Sequence, residues 1–152
     1  MLILITVLLC FQLECIPIAE GLQIETILDQ PLVVPNVGPN VLVTTLLITM
    51  PPGDTGLPAH THPGPAVGYV VKGEVLFQVN DELPEILPTG STFYVNDSDF
   101  HVWDANASNT TVCIVTATIF GRPMEEATTF LKDFKRENRN DALARAKRRG
   151  EN

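Results

Sequence analysis

Up to Gly121 the sequence contains one basic residue, Lys72; from Arg122 onward there are nine lysines and arginines against six acids. A body so short of positive charge offers no electrostatic footprint for a phosphate backbone, which argues against nucleic-acid binding by that part of the chain. The basic tail reads as a solvated charged helix, with contact to an acidic partner as the alternative. Cysteine is equally scarce, with three in 152 residues, and two of these, Cys10 and Cys15, lie near the start. Their removal would leave Cys113 alone, with no internal disulfide and with stability drawn from packing. Cys113 itself, inside TTVCIVTATIF, reads as a small core residue.

Long apolar runs are missing too. The opening MLILITVLLCF is about ten apolar residues, against the ~20 that a bilayer span requires, so no membrane span is expected. It fits the core of a secretory signal peptide over residues 1–20, with cleavage near Ala19 to Gly21, and places the protein in a secreted, extracellular or periplasmic setting. No Lys or Arg precedes the run, and a buried first strand or a different start codon is the alternative. No Ser–His–Asp or Cys–His arrangement with supporting context, no phosphate-cradling glycine loop and no zinc-finger cysteine spacing is present.

What is present is β texture. The segments VLVTTLLIT (41–49), VGYVVKG (67–73), EVLFQVN (74–80), STFYV (91–95) and TVCIVTATIF (111–120) are rich in β-branched and aromatic residues. Turn formers separate them: PPGDTG (51–56), Asn80-Asp81, PTG (88–90), and Gly73, which sits between two apolar strands where a tight turn needs positive φ. Short strands at this spacing predict an all-β antiparallel sandwich or barrel over 22–121. Beyond it, 122–152 reads as a helix and a basic tail. Glu125 and Glu126 suit a first turn, and Ala127, Phe130, Leu131 and Phe134 form a helical stripe, so the helix is expected over 123–137. Three N-x-S/T triplets begin at Asn96, Asn106 and Asn109 and are glycosylation acceptors or simply polar loops.

Only three histidines occur, and two of them, His60 and His62, stand two apart. On an extended chain both point to the same face. His101, in DFHVWDAN, belongs to another strand. Three imidazoles meeting inside a barrel make a metal site; hydrogen-bonding groups in an apolar pocket are the alternative.

The stretch HTHPGPAVGYVVKGE resembles the cupin superfamily in its small one-domain form, particularly exported members with an H-x-H-P-x-P-x-x-G-Y-V-x-x-G pattern. Gly53, His60, His62 and Gly73 match the first cupin motif, with Pro63-Gly64 after the histidine pair. Gly90 and His101 match the second, in which Asn96 and Ser98 replace the usual Pro and Gly. The resemblance implies a jelly-roll β-barrel, a divalent transition metal (Fe, Mn, Ni, Cu or Zn) on His60, His62 and His101, and pairing into homodimers. It also exposes a departure: where most cupins carry a ligand Glu, this chain has Ala66. Three neutral ligands leave the ion's double charge intact, which favours an anionic or chelating partner molecule. Tyr69, Trp103 and Gln78 are the candidate pocket residues, Trp103 because it lies two after His101. Asp97, Asp99 and Asp104 flank His101 and read as solvated loop acids, with an acid that orients an imidazole or acts as a base as the alternative. Two functions remain in view. One is an enzyme acting on a small organic molecule, with dioxygenase-type oxygenation the natural class; the other is a non-catalytic protein that binds a metal or small ligand.

Overall fold

The computed structural model describes residues 21–32, 41–97, 99–122 and 124–150. The signal-peptide reading of 1–20, with Cys10 and Cys15, lies outside them. Ten strands form: β1 (Gln23–Leu32), β2 (Val41–Met50), β3 (His60–Thr61), β4 (Ala66–Lys72), β5 (Glu74–Val79), β6 (Glu85–Pro88), β7 (Thr92–Val95), β8 (Phe100–Asn106), β9 (Cys113–Gly121) and β10 (Thr129–Phe130). They build two antiparallel five-stranded sheets, ordered β1-β2-β9-β4-β7 and β10-β3-β8-β5-β6. This is the all-β jelly roll that the strand pattern and the cupin motifs anticipate.

The alternation of β4 and β9 explains why the sheets close on each other. Ala66, Gly68 and Val70 turn inward beside Ile119, Ala117 and Val115, and their neighbours turn out. The enclosed core contains Met50, Ala66, Val70, Val75, Phe77, Val79, Val95, Cys113, Val115 and Ile119. Gly68 is a spacing requirement, because a Cβ there would lie 1.9 Å from the Phe93 ring directly opposite. Gly73 takes the positive φ expected of it, +79°, and turns β4 into β5.

The outer face of the first sheet carries several exposed apolar residues, with Glu25 beside Leu47 and Lys72 beside Ile114 as its charges. Val67, Tyr69, Val71, Tyr94 and Phe120 are exposed there, and the outward positions of β2 and β9 are Val43, Thr45, Leu47 and Thr49 beside Phe120, Thr118, Thr116 and Ile114.

The helix lies further along the chain than its stripe suggested. Residues 124–137 contain no helix; they include β10, which pairs Thr129 with Thr61 and Phe130 with His60. The apolar residues there serve separate contacts: Phe130 beside the His60 ring, Phe134 against Phe100. The backbone of this stretch is committed to extending the second sheet, and the N–H of Leu131 bonds the carbonyl of Ala59 at 2.8 Å. The helix, α1 (Arg139–Gly150), forms from the segment read as a charged helical tail. Asn138 caps it, its Oδ1 accepting from the N–H of Asp141 at 3.0 Å. Asp141 in the first turn and Lys147, Arg148 and Arg149 in the last complement the dipole. Ala142, Leu143 and Ala146 bury against Leu76, Val102, Trp103 and Ala105 on the outside of the second sheet.

Arg139 fixes the helix to the barrel, donating from Nε to the Asn106 carbonyl at 2.9 Å and from Nη1 to Oδ1 of Asn109 at 2.9 Å. Asn106 is wholly buried, and its Nδ2 bonds the carbonyls of Met50, Pro51 and Thr111. The triplet that begins at Asn106 is therefore closed to glycosylation in the folded chain, while Asn96 and Asn109 lie at the surface.

Candidate metal centre

His60 and His101 are direct partners across β3 and β8, so the sheet register sets them side by side. His62 follows immediately after β3 and approaches from the same strand. Ring centroids stand 5.0 Å apart for His60 and His62, 4.9 Å for His60 and His101, and 5.2 Å for His62 and His101. One nitrogen from each ring lies within 4.8 Å of the other two.

The backbone orients two of the rings. Nδ1 of His60 lies 2.9 Å from the Pro58 carbonyl, and Nδ1 of His62 lies 2.7 Å from the Ala127 carbonyl. A carbonyl only accepts, so each Nδ1 carries the proton and each Nε2 keeps a free lone pair. Nδ1 of His101 is buried with no partner among the described residues. Its ring is enclosed by Phe77 and Phe93, whose centroids lie 5.5 and 6.4 Å away.

Burial sets the charge state. Loss of solvent brings His60 down to about 4, against the pull of the Pro58 carbonyl and with help from His62 and Arg136. It lowers His62 as well, opposed by the Ala127 carbonyl. His101 lies well below its usual range, chiefly through burial and then through His60 and His62. At neutral pH the three are unprotonated, the form that ligates a metal.

The histidines line a cavity of about 270 Å³. Its walls are apolar, with Ile24, Leu46, Ile48, Phe77, Phe93 and Phe130 among them, and Asp104 supplies its only acid. Ala66 lines the cavity where the resemblance implies a Glu. His62 also borders a polar cleft with Asp97, Arg122, Glu125 and Glu126. Three neutral nitrogen donors, two with tautomers fixed by carbonyls, fit a divalent transition ion whose charge a bound ligand then offsets.

The three residues expected to shape the pocket do not line it. Tyr69 is 44% exposed on the outer face of β4, because the inward positions there are Ala66, Gly68 and Val70. Trp103 is buried, but on the far side of the second sheet beneath α1, with the Arg136 guanidinium 3.9 Å above its ring. Gln78, its partner across β5 and β8, faces the same way and donates to the Glu82 carbonyl at 2.8 Å. The cause is a β-bulge. Val79 pairs with His101 and Gln78 with Trp103, so Val102 is an extra residue on β8. Parity breaks there: Trp103 turns out, and Asp104, opposite Phe77, turns in. Asp104 is therefore a cavity residue and not a solvated loop acid. Asp97 is exposed, and the Asp99 carboxylate accepts from Nδ2 of Asn80 at 2.6 Å. Phe77, Phe93, Phe130 and the Ala127 carbonyl were also not anticipated as site residues. Phe77 alone had a signal, in the clean alternation of β5.

Comparison with known proteins agrees with this architecture. The family profile described as Cupin domain matches residues 46–118. A search of curated proteins by sequence finds no match. Among solved structures, a protein with a double-stranded β-helix domain from Klebsiella pneumoniae superposes with TM-score 0.56 at 15% identity, over 74% of this chain and 88% of that one. A cupin-like protein from Thermotoga maritima gives 0.54 at 16% identity, over 70% and 85%. The DMSP lyase DddQ from Ruegeria pomeroyi gives 0.51 at 18% identity; the match covers 62% of this chain but 45% of the lyase. At these identities the likeness is one of fold. Profile, fold and histidine placement together make residues 46–118 a cupin domain.

Proposed function

We propose that His60, His62 and His101 hold one divalent transition metal and that the cavity beside them takes a small, largely apolar organic molecule with an anionic or chelating head, with oxygenation as the reaction class. The observation that carries this is the convergence of three unprotonated imidazoles, within 4.8 Å of one another, on one apolar cavity. A bound ion would supply Lewis acidity and, if redox-active, electron transfer. The chain supplies the rest. The Pro58 and Ala127 carbonyls hold the histidine tautomers, and Phe77, Phe93 and Phe130 keep water from the ligand's body. Ala66 leaves the centre without a protein carboxylate, so the ligand's own negative charge completes it. Oxygen uptake by Fe(II)-loaded protein over a panel of small carboxylates and diols tests the reading. Uptake is expected with at least one compound and absent in the Zn(II)-loaded protein. The missing carboxylate also favours a second reading, a non-catalytic binder; tight binding without uptake would select it. Neither binding nor uptake would end both.

The apolar residues exposed on the outer face of the first sheet support the expected homodimer, with a second copy covering Tyr69, Tyr94 and Phe120. Light scattering should return twice the mass of the chain, and Tyr69→Lys should return it to one. A single-chain mass for the unaltered protein would exclude the pairing.

A further inference from the structure

The cavity has a polar group besides the histidines, Asp104, yet its carboxylate is not among the donor atoms gathered at the histidines. The bulge at Val102 turns it inward. Its Oδ1 is enclosed and has no hydrogen-bond partner among the described residues, an uncommon condition for a buried polar atom. The surrounding groups, the Leu57 N–H among them, fix the carboxyl and leave Oδ1 unsatisfied. Gly56, at φ +66°, passes so close that a Cβ there would lie 2.8 Å from Oδ1. That loop is itself held, with the N–H of Gly56 bonding Oδ1 of Asp54 at 2.7 Å. Arg136 is near, but its guanidinium is committed elsewhere: Nη1 to the carbonyls of Leu57 at 2.7 Å and Val102 at 3.2 Å, Nη2 to that of Thr55 at 3.0 Å, and its face to Trp103.

We propose that Asp104 anchors the ligand's far end, its carboxyl sharing a hydrogen bond with a hydroxyl or amine there while the histidine end takes the head group. The ligand class is then a short apolar molecule with a chelating or anionic head and a hydrogen-bonding tail. The head rests on the metal reading; the anchor does not. A cavity of about 270 Å³ suits one ring or a short chain, below the usual range for drug-sized ligands. Burial pushes the Asp104 carboxyl up to about 7, opposed by Arg136 and the Leu57 N–H and reinforced by Asp54. Near neutrality the group can therefore donate or accept.

The test uses metal-free protein and two probes, phenol and benzene, titrated calorimetrically. The ratio of phenol to benzene affinity should fall about tenfold in Asp104→Leu, the loss of one hydrogen bond to a charged group. In the unaltered protein the ratio should rise between pH 6 and 8 as the carboxyl ionises and becomes the stronger acceptor. Arg136 stays charged, and His60 and His101 stay neutral, across that range. Asp104→Asn, which keeps the shape, should give a flat ratio, and it stands in if the leucine variant does not fold. An equal ratio in unaltered protein and Asp104→Leu, a pH-independent ratio in the unaltered protein, or failure of that protein to bind either ring would overturn the proposal. Zinc uptake is measured separately. Its absence beside an intact phenol effect would remove the metal reading and leave the anchor standing.

Discussion

Replacing His101 with alanine is expected to strip the protein of its metal. The unaltered protein should bind close to one zinc or iron per chain, and the variant far less. Removing one of three nitrogen donors leaves two, and no carboxylate at position 66 can take up the vacancy. Neutral donors bind a divalent ion less tightly than charged ones, so this centre has little reserve, and affinity should fall a hundredfold or more. The loss is readable as stability. A ligand at a hundred times its Kd raises folding stability by about 2.7 kcal/mol. At ~2–4 °C per kcal/mol for a chain of this size, saturating zinc should raise the Tm of the unaltered protein by about 5–10 °C and that of the variant scarcely at all. His101 is also a core residue, 4% exposed and enclosed by Phe77 and Phe93, so its truncation leaves a cavity with a cost of its own. His62 separates the two effects. It is only partly buried, at the edge of the polar cleft, and His62→Ala should lose the metal with a smaller loss of intrinsic stability. Plasma emission analysis of the three proteins after equilibration with one equivalent of zinc decides the matter. Equal, negligible metal in all three would leave the histidines as hydrogen-bonding groups in an apolar pocket.

Those histidines were legible because period-two alternation and spacing are properties of the chain itself. His60 and His62 share a face wherever the backbone is extended, and the motif residues around them fix which face. Gly73 was legible for the same reason, since a glycine between two apolar runs has few other uses. The errors arose where one residue more or less reverses parity or changes the partner. Nothing in FHVWDAN marks Val102 as an extra residue, yet that one bulge exchanged Trp103 for Asp104 on the cavity wall. Nothing local shows that Phe130 will pair with His60, seventy residues earlier, in preference to forming a helical stripe with Ala127 and Phe134. A short strand at a sheet edge draws its stability from the neighbour, and the neighbour is not in the window that a periodicity reads. The helix over 139–150 had its own signals in the Asn138 cap and the apolar triad Ala142, Leu143 and Ala146. The segment reads as a charged helical tail; what stayed hidden is that this tail, and not 123–137, packs on the sheet.

The acid–base behaviour of the metal-free protein should show two opposed limbs. His60 sits at about 4 when folded and near 6.5 when unfolded. Between those values the unfolded chain takes up a proton that the folded chain refuses, so stability is complete above 6.5 and is lost as pH falls toward 4. The shift corresponds to about 3 kcal/mol, and His62 and His101 act in the same direction. Asp104 does the reverse. Its folded value is about 7 against 3.8 for the free residue, so the folded chain keeps a proton that the unfolded chain releases. Its contribution is complete below 3.8 and is lost as pH rises through 7. Asp104→Asn removes that second limb alone. In urea titrations with a chelator present, the variant should be more stable than the unaltered protein by about 2–4 kcal/mol at pH 8, and the difference should shrink toward zero near pH 4. A difference that does not change with pH would mean that the carboxyl is ionised throughout and is not held in the low-dielectric wall described for it. A stabilising substitution at a buried polar position has a physical reading of its own. The chain tolerates a carboxyl that weakens its fold at neutral pH, as proteins do where a group is placed for a ligand and not for the core.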